Sequence, residues 1–147
     1  MLKMSGILII VAVLTLCGFK ASSKLKERTR KLGLFIRLIN EIEDKVRLKT
    51  EMSDIFKSGL AKELLNYENF RVEIKEDYLL TDEIKLLEDF FQKVGFGDVK
   101  TGIELCKQYK ELLGKKEKEA EQELLQKAKL YSILGFFSGL FVAVLLI

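Results

Sequence analysis

The sequence contains no histidine, no proline and no tryptophan, and only two cysteines. Each absence removes a class of chemistry. Without histidine there is no Ser-His or Cys-His nucleophile pair and no His-ligated zinc. Cys17 and Cys106 are too few for a four-thiolate metal site or a disulfide framework. A chain without proline is unlike turn-rich β proteins and unlike disordered linkers. Helix is what these absences permit, and 147 residues suffice for one domain.

What is present is unevenly distributed. Met4 to Phe19 and Leu130 to Ile147 carry no charge, whereas residues 20–129 hold all but one of the 25 basic residues and all 22 acidic ones. As helices the two runs reach about 24 and 27 Å, against about 30 Å for a bilayer's apolar core. Lys3 and Lys20 extend the first by snorkelling. Both read as transmembrane helices. A cleaved signal peptide would need a small-residue site after the first run, but Lys20-Ala21-Ser22-Ser23-Lys24 follows. A lipoprotein signal would want a small residue before Cys17, where Leu16 stands. Basic residues set the orientation. Lys20, Lys24, Lys26, Arg28, Arg30 and Lys31 flank one span, Lys115, Lys116, Lys118, Lys127 and Lys129 the other, and Lys3 alone lies outside. This excess places 20–129 in the cytoplasm. The expected organisation is a short extracytoplasmic N-terminus (1–3), a span (4–19), a cytoplasmic helical domain (20–129) and a second span (130–147).

The charged segment has helical periodicity. Leu25, Leu32, Phe35, Ile39, Ile42 and Val46 repeat near every 3.5 residues, interrupted only by Arg28. Nothing between Phe19 and Leu25 breaks a helix, so the first span is expected to run on into this one. A second helix is expected over Met52 to Leu65, capped by Ser53 or Thr50, with Ile55, Phe56, Leu60 and Leu64 inward. Phe70, Val72 and Ile74 alternate with charges as a strand would. A lone strand lacks a partner, so helix or extended linker is favoured there. A third helix is expected from a Thr81 cap, with Asp82 and Glu83 on its positive end, Ile84, Leu87, Phe91 and Val94 inward, and Gly95 as its stop. Gly97 and Asp98 read as a turn and a new N-cap. From Val99 one long helix is expected to the C-terminus, its stripe comprising Ile103, Cys106, Tyr109, Leu113, Ala120, Leu124, Ala128 and Tyr131. Gly102 and Gly114 weaken it by roughly 1 kcal/mol each, and Gly114 is a candidate kink. The fold class is therefore all-α: a small antiparallel helical bundle flanked by two transmembrane helices.

Catalytic motifs do not emerge. Carboxylates such as Glu41, Glu43 and Asp44 are those expected of exposed helix faces. Gly95-Phe96-Gly97 lacks the Lys and Ser/Thr of a phosphate loop, and Cys106 sits on an apolar stripe as a small core residue would. Residues 115–123 (KKEKEAEQE) read as a solvated face with i,i+4 pairs such as Lys115–Glu119 and Glu123–Lys127; a docking site is the sharper alternative. Acidic and basic residues are interspersed without an aromatic platform, which argues against nucleic acid. No cofactor or metal is implied. Gly135, Gly139 and Ala143, four apart in the second span, would let another helix pack closely; small residues are also simply common in membrane helices.

The whole pattern resembles the stage III sporulation protein AB family of endospore-forming bacteria. The resemblance rests on Met1-Leu2-Lys3, Gly6, Gly18-Phe19, Ala21 and Glu27-Arg28-Thr29-Arg30. Leu87, Phe90, Phe91, Val94-Gly95 and Asp98 add to it, as do Ala128, Tyr131, Leu134-Gly135, Gly139-Leu140 and Leu145-Leu146-Ile147. The family's Thr-Pro-Leu-like turn has no proline counterpart in 48–53, and the stretch from Lys57 to Leu80 is shorter than the family pattern. The resemblance implies a soluble part like the cytoplasmic domain of the type II secretion platform protein. It also implies a place in a mother-cell–forespore channel complex, at the mother-cell membrane surrounding the forespore. A cytosolic ATPase, stage III sporulation protein AA, and other membrane proteins of that complex would be the partners, besides membrane lipid. On this expectation the protein is a non-enzymatic membrane platform or adaptor; the alternative is a scaffold that oligomerises through its spans without an ATPase. Docking candidates are Glu41, Glu43 and Asp44, and the turn residues Gly95 and Asp98. Each has a structural reading beside it, as solvated charge, C-cap or N-cap.

Overall fold

The computed structural model describes residues 2–49, 54, 56–68, 71–75, 78–94 and 97–146; the side chains of 2–19, 21, 67, 68, 71, 132, 135, 136, 139, 140 and 142–146 are outside the description. Two long helices dominate, α1 (Leu2–Arg47) and α4 (Val99–Leu146). Between them come α2 (Gly59–Leu64), strands β1 (Leu65–Glu68) and β2 (Arg71–Ile74), and α3 (Thr81–Lys93).

α1 runs unbroken through Lys20 into the charged segment, as the absence of a breaker led us to expect. α4 is likewise continuous through Gly114, where a kink was a candidate. The two pack antiparallel. Arg28 Nη1 lies 2.8 Å from Glu123, Lys110 Nζ lies 2.8 Å from Asn40, and a Cβ on Gly102 would stand 3.1 Å from Val46. At Gly102 a larger residue would therefore push the Val46 side chain aside. Residues level with one another along the pair have numbers that add to about 150.

The core follows the stripes. α1 buries Leu32, Phe35, Leu38, Ile39 and Ile42, and α4 buries Cys106, Tyr109, Leu113 and Ala120. Each fully buried large apolar side chain contributes about 1.5–3 kcal/mol. Leu25, Val46, Ile103, Leu124 and Tyr131 are only partly covered, and Ala128 is exposed. α3 closes one side of the pair. Its buried residues are Glu83, Leu87, Phe90 and Phe91, so the buried carboxylate and Phe90 take the place expected of Ile84, which is half-buried. The ring of Phe90 lies 5.3 Å from Tyr109 and 5.1 Å from Phe91, in the tilted and edge-on geometries that aromatic pairs favour.

Three local expectations are corrected. The helix expected over Met52 to Leu65 is not continuous: Asp54 is helical, residues 56–58 form a turn and bend, and α2 follows, six residues capped by Ser58, whose hydroxyl accepts from the Ala61 N–H at 3.2 Å. Of the inward residues, Phe56 and Leu64 are buried and Leu60 is half-buried; Thr50, Met52, Ser53 and Ile55 lie outside the described residues. The alternation at Val72 and Ile74 is a true strand, β2, and its partner is β1, whose first residue, Leu65, had been read as the end of the preceding helix. Leu65 pairs with Ile74 and Tyr67 with Val72 in an antiparallel register. Leu65 and Ile74 are both buried, so the hairpin presents one apolar face to the core. Finally, Leu80, not Thr81, occupies the N-cap of α3, and its N–H is satisfied by the Glu83 carboxylate at 2.8 Å. α3 ends at Lys93 with Val94 as its C-cap, and Gly95 lies outside the described residues. Gly97 takes φ +132°, which only glycine adopts readily, and turns the chain into α4.

Candidate functional site

Two polar clusters tie the long helices together. The first sits beside α3. Arg28, the charge that interrupts the α1 stripe, is 7% exposed, and Glu83 is fully buried. Arg28 Nη2 lies 2.6 Å and Nε 3.0 Å from Glu83 Oε1, a fork geometry that lysine cannot reproduce. Arg28 Nη1 donates to Glu123 on α4. Burial works against the guanidinium's charge, yet hydrogen bonds and charge from Glu83, then Glu123, hold its pKa above the ordinary value. One arginine thus joins α1, α3 and α4. Sequence reasoning missed this clamp. Its signal was a charge inside an apolar stripe on one helix and an acid in the first turn of another.

The second cluster lies further along α1. Glu43 is 6% exposed and accepts from Arg47 Nη2 at 2.7 Å and from Lys110 on α4. Lys110 also donates to Asn40. Hydrogen bonds from Lys110 and Arg47 outweigh burial and lower the Glu43 pKa. One residue earlier on α4, the Tyr109 hydroxyl donates to Asp89 of α3, which also pairs with Lys93 at 2.7 Å. Lys116 reaches Asp82 at 2.8 Å. The charged run on α4 is thus partly a fastening for α3. The Glu123–Lys127 pair forms as expected at 2.7 Å, while Lys115 pairs with Glu111 and not Glu119. Cys106 is fully buried, and burial pushes its thiol up to about 11.

The candidate docking residues separate. Glu43 is internal and paired, while Glu41 and Asp44 face solvent on the outer side of α1. Asp98 is exposed and caps α4: its Oδ1 accepts from the Thr101 N–H at 3.1 Å and from the Thr101 hydroxyl. Those two bonds, hydroxyl first, hold its pKa low. Leu48, at the same end of the hairpin, is 78% exposed. Gly135, Gly139 and Ala143 lie on α4, but their side-chain positions are outside the description. Leu130, Ile133, Leu134, Phe137 and Phe141 of that segment are exposed. Among the described residues, no helix is long and apolar enough to cross a membrane.

This geometry defines a class: a long helical hairpin, braced on one side by a short helix and a β-hairpin, whose buried polar groups are occupied in holding helices together. The chain belongs to the stage III sporulation protein AB family, whose model matches residues 63–147, more than half of its length. Its role is in sporulation, and the family is not a known enzyme family. The match covers the end of α2, the hairpin, α3 and α4; the N-terminal part of the resemblance, residues 1–30, lies outside it. No curated protein and no solved structure matches the chain.

Proposed function

We propose that this protein is a membrane-anchored, non-enzymatic adaptor in endospore formation. Residues 4–19 and 130–147 hold it in the mother-cell membrane around the forespore, and the helical domain couples a cytosolic secretion-type ATPase to a channel complex. The antiparallel register of α1 and α4 carries this reading. Continued along both helices, it brings 4–19 level with 131–146, so the two uncharged runs enter a bilayer side by side. The apolar side chains exposed from Leu130 to Phe141 suit lipid better than water. Lys20, Lys24, Lys127 and Lys129 fall at one level, where anionic headgroups would meet them.

From Lys20 to Arg47, α1 extends about 40 Å. The ATPase would meet the membrane-distal end, which offers exposed Leu48 and Asp98. Glu41 and Asp44 are further exposed acids open to a partner. Two measurements on the full chain test the reading. A membrane-impermeant maleimide should label Lys62→Cys only after cells are permeabilised; labelling in intact cells would overturn the topology. A photoreactive residue at Leu48 should crosslink to the sporulation ATPase in sporulating cells. If crosslinking fails while the chain remains in the membrane, the coupling role is wrong and the anchoring stands.

A further inference from the structure

The acids of the two long helices stop at one level. The first of the chain's 22 acidic residues is Glu27 and the last is Glu123. By the register of the helix pair the two stand level with each other. Between them and the uncharged runs lie residues 20–26 of α1 and 124–130 of α4. This band carries Lys20, Lys24, Lys26, Lys127 and Lys129 and no carboxylate. Ser23 and Gln126, both exposed, add hydrogen-bond donors. Lys20, Lys24, Lys26 and Lys129 are exposed and, among the described residues, pair with no acid. The two acids at the boundary are themselves neutralised. Glu27 lies 2.9 Å from Arg30, and Glu123 lies 2.8 Å from Arg28 and 2.7 Å from Lys127.

Given the anchoring proposed above, on which this rests, we infer that the band is a collar for anionic phospholipid headgroups, which the protein gathers around itself in the leaflet facing the helical domain. Orientation alone does not account for it. Basic residues orient a chain in a membrane, whereas Asp and Glu contribute little, so orientation gives no reason to keep carboxylates out. Repulsion from acidic lipids does. The band's seven residues rise about 10 Å along each helix. That is close to the reach of the leaflet's negative potential, one Debye length of about 8 Å at physiological salt. The distribution around the helices selects lipid over a protein or a nucleic acid. Residues two apart on a helix point about 160° away from each other. Lys24 and Lys26 therefore stand on opposite sides of α1, and Lys127 and Lys129 on opposite sides of α4. A macromolecular partner would meet one side of the pair, but a ring of headgroups meets all of them.

Energy transfer to lipid tests the collar. The full chain with Cys17→Ser and Ala128→Cys is labelled at residue 128 with a fluorescent donor; Ala128 is exposed and Cys106 is fully buried. It is reconstituted in vesicles of phosphatidylcholine holding a minority of phosphatidylglycerol. Acceptors on the acyl chains of one lipid or the other read the composition beside the protein. A lysine near an anionic surface is favoured about fivefold, so phosphatidylglycerol should be enriched about fivefold over its bulk share. The enrichment should fall at high salt. Replacing Lys24, Lys26 and Lys129 by Gln should remove most of it. Adding acids while keeping every lysine, as Ser23→Glu with Gln126→Glu, should lower it about twofold, with helicity checked by circular dichroism. Equal transfer to the two lipids, or enrichment that the added acids leave unmoved, would overturn the collar. Alkaline extraction of the same vesicles separates the two readings. A chain that resists extraction and shows no enrichment overturns the collar and leaves the anchor, whereas a chain that is extracted overturns the anchor and the collar with it.

Discussion

Replacing Arg28 by leucine should cost more stability than its single side chain suggests. The substitution leaves the Glu83 carboxylate fully buried with the Leu80 N–H as its remaining hydrogen-bond donor. Breaking a buried pair by removing one partner costs about 3–5 kcal/mol, because the survivor is an uncompensated charge. A domain's whole stability is about 5–15 kcal/mol, so the loss is a large fraction of it. The double variant Arg28→Leu, Glu83→Leu removes both charges and replaces them with apolar volume, which is often nearly neutral. It still forfeits the bond to the α3 N-terminus, about 1 kcal/mol. The double variant should therefore be more stable than Arg28→Leu by about 2 kcal/mol or more. Urea unfolding of the full chain in detergent micelles, followed by circular dichroism, measures both. An Arg28→Leu cost below about 1 kcal/mol, or single-variant costs that simply add, would refute the view of this cluster as a coupled clamp.

Two further outcomes follow from the same contacts. The Glu43 pKa is lowered in the folded chain from an ordinary value of 4.5. Its contribution is therefore complete above about pH 4.5 and fades as pH falls through the lowered folded value. Glu43→Gln should flatten the acid side of the stability curve in a pH series of urea melts and leave the slope above pH 6 unchanged. A Cβ added at Gly114 meets nothing within 4 Å. Gly114→Ala should then raise helix stability by about 0.5–1 kcal/mol, read as an increase in melting temperature; a decrease would mean that the position needs glycine.

The parts of the fold legible in the sequence were those governed by local periodicity. Phe35, Ile39 and Ile42 on α1 and Cys106, Tyr109 and Leu113 on α4 repeat at helical spacing, and all are buried. The β-hairpin was hidden because Leu64 and Leu65 extend the α2 pattern, although the backbone turns extended at Leu65. A strand's partner is a non-local fact, and four residues of alternation cannot name it. The Arg28–Glu83 bond spans 55 positions and left only half-signals at each end. Of the candidate docking acids, Glu43 looked like its neighbours Glu41 and Asp44. The arginine one turn on and the lysine across on α4 make it internal, and neither position is deducible from the cluster itself.

α1 carries no hinge between the uncharged run and the far end of the domain. A tilt of the hairpin by about 10° about the level of Lys20 would move Leu48 by roughly 7 Å, given about 40 Å of helix between them. Helix pairs packed as tightly as Val46 on Gly102 bend poorly, so such a tilt would travel as a whole-body swing. A force applied at the tip would reach the uncharged ends of the helix pair almost undamped, and a rearrangement of those ends would be felt at the tip.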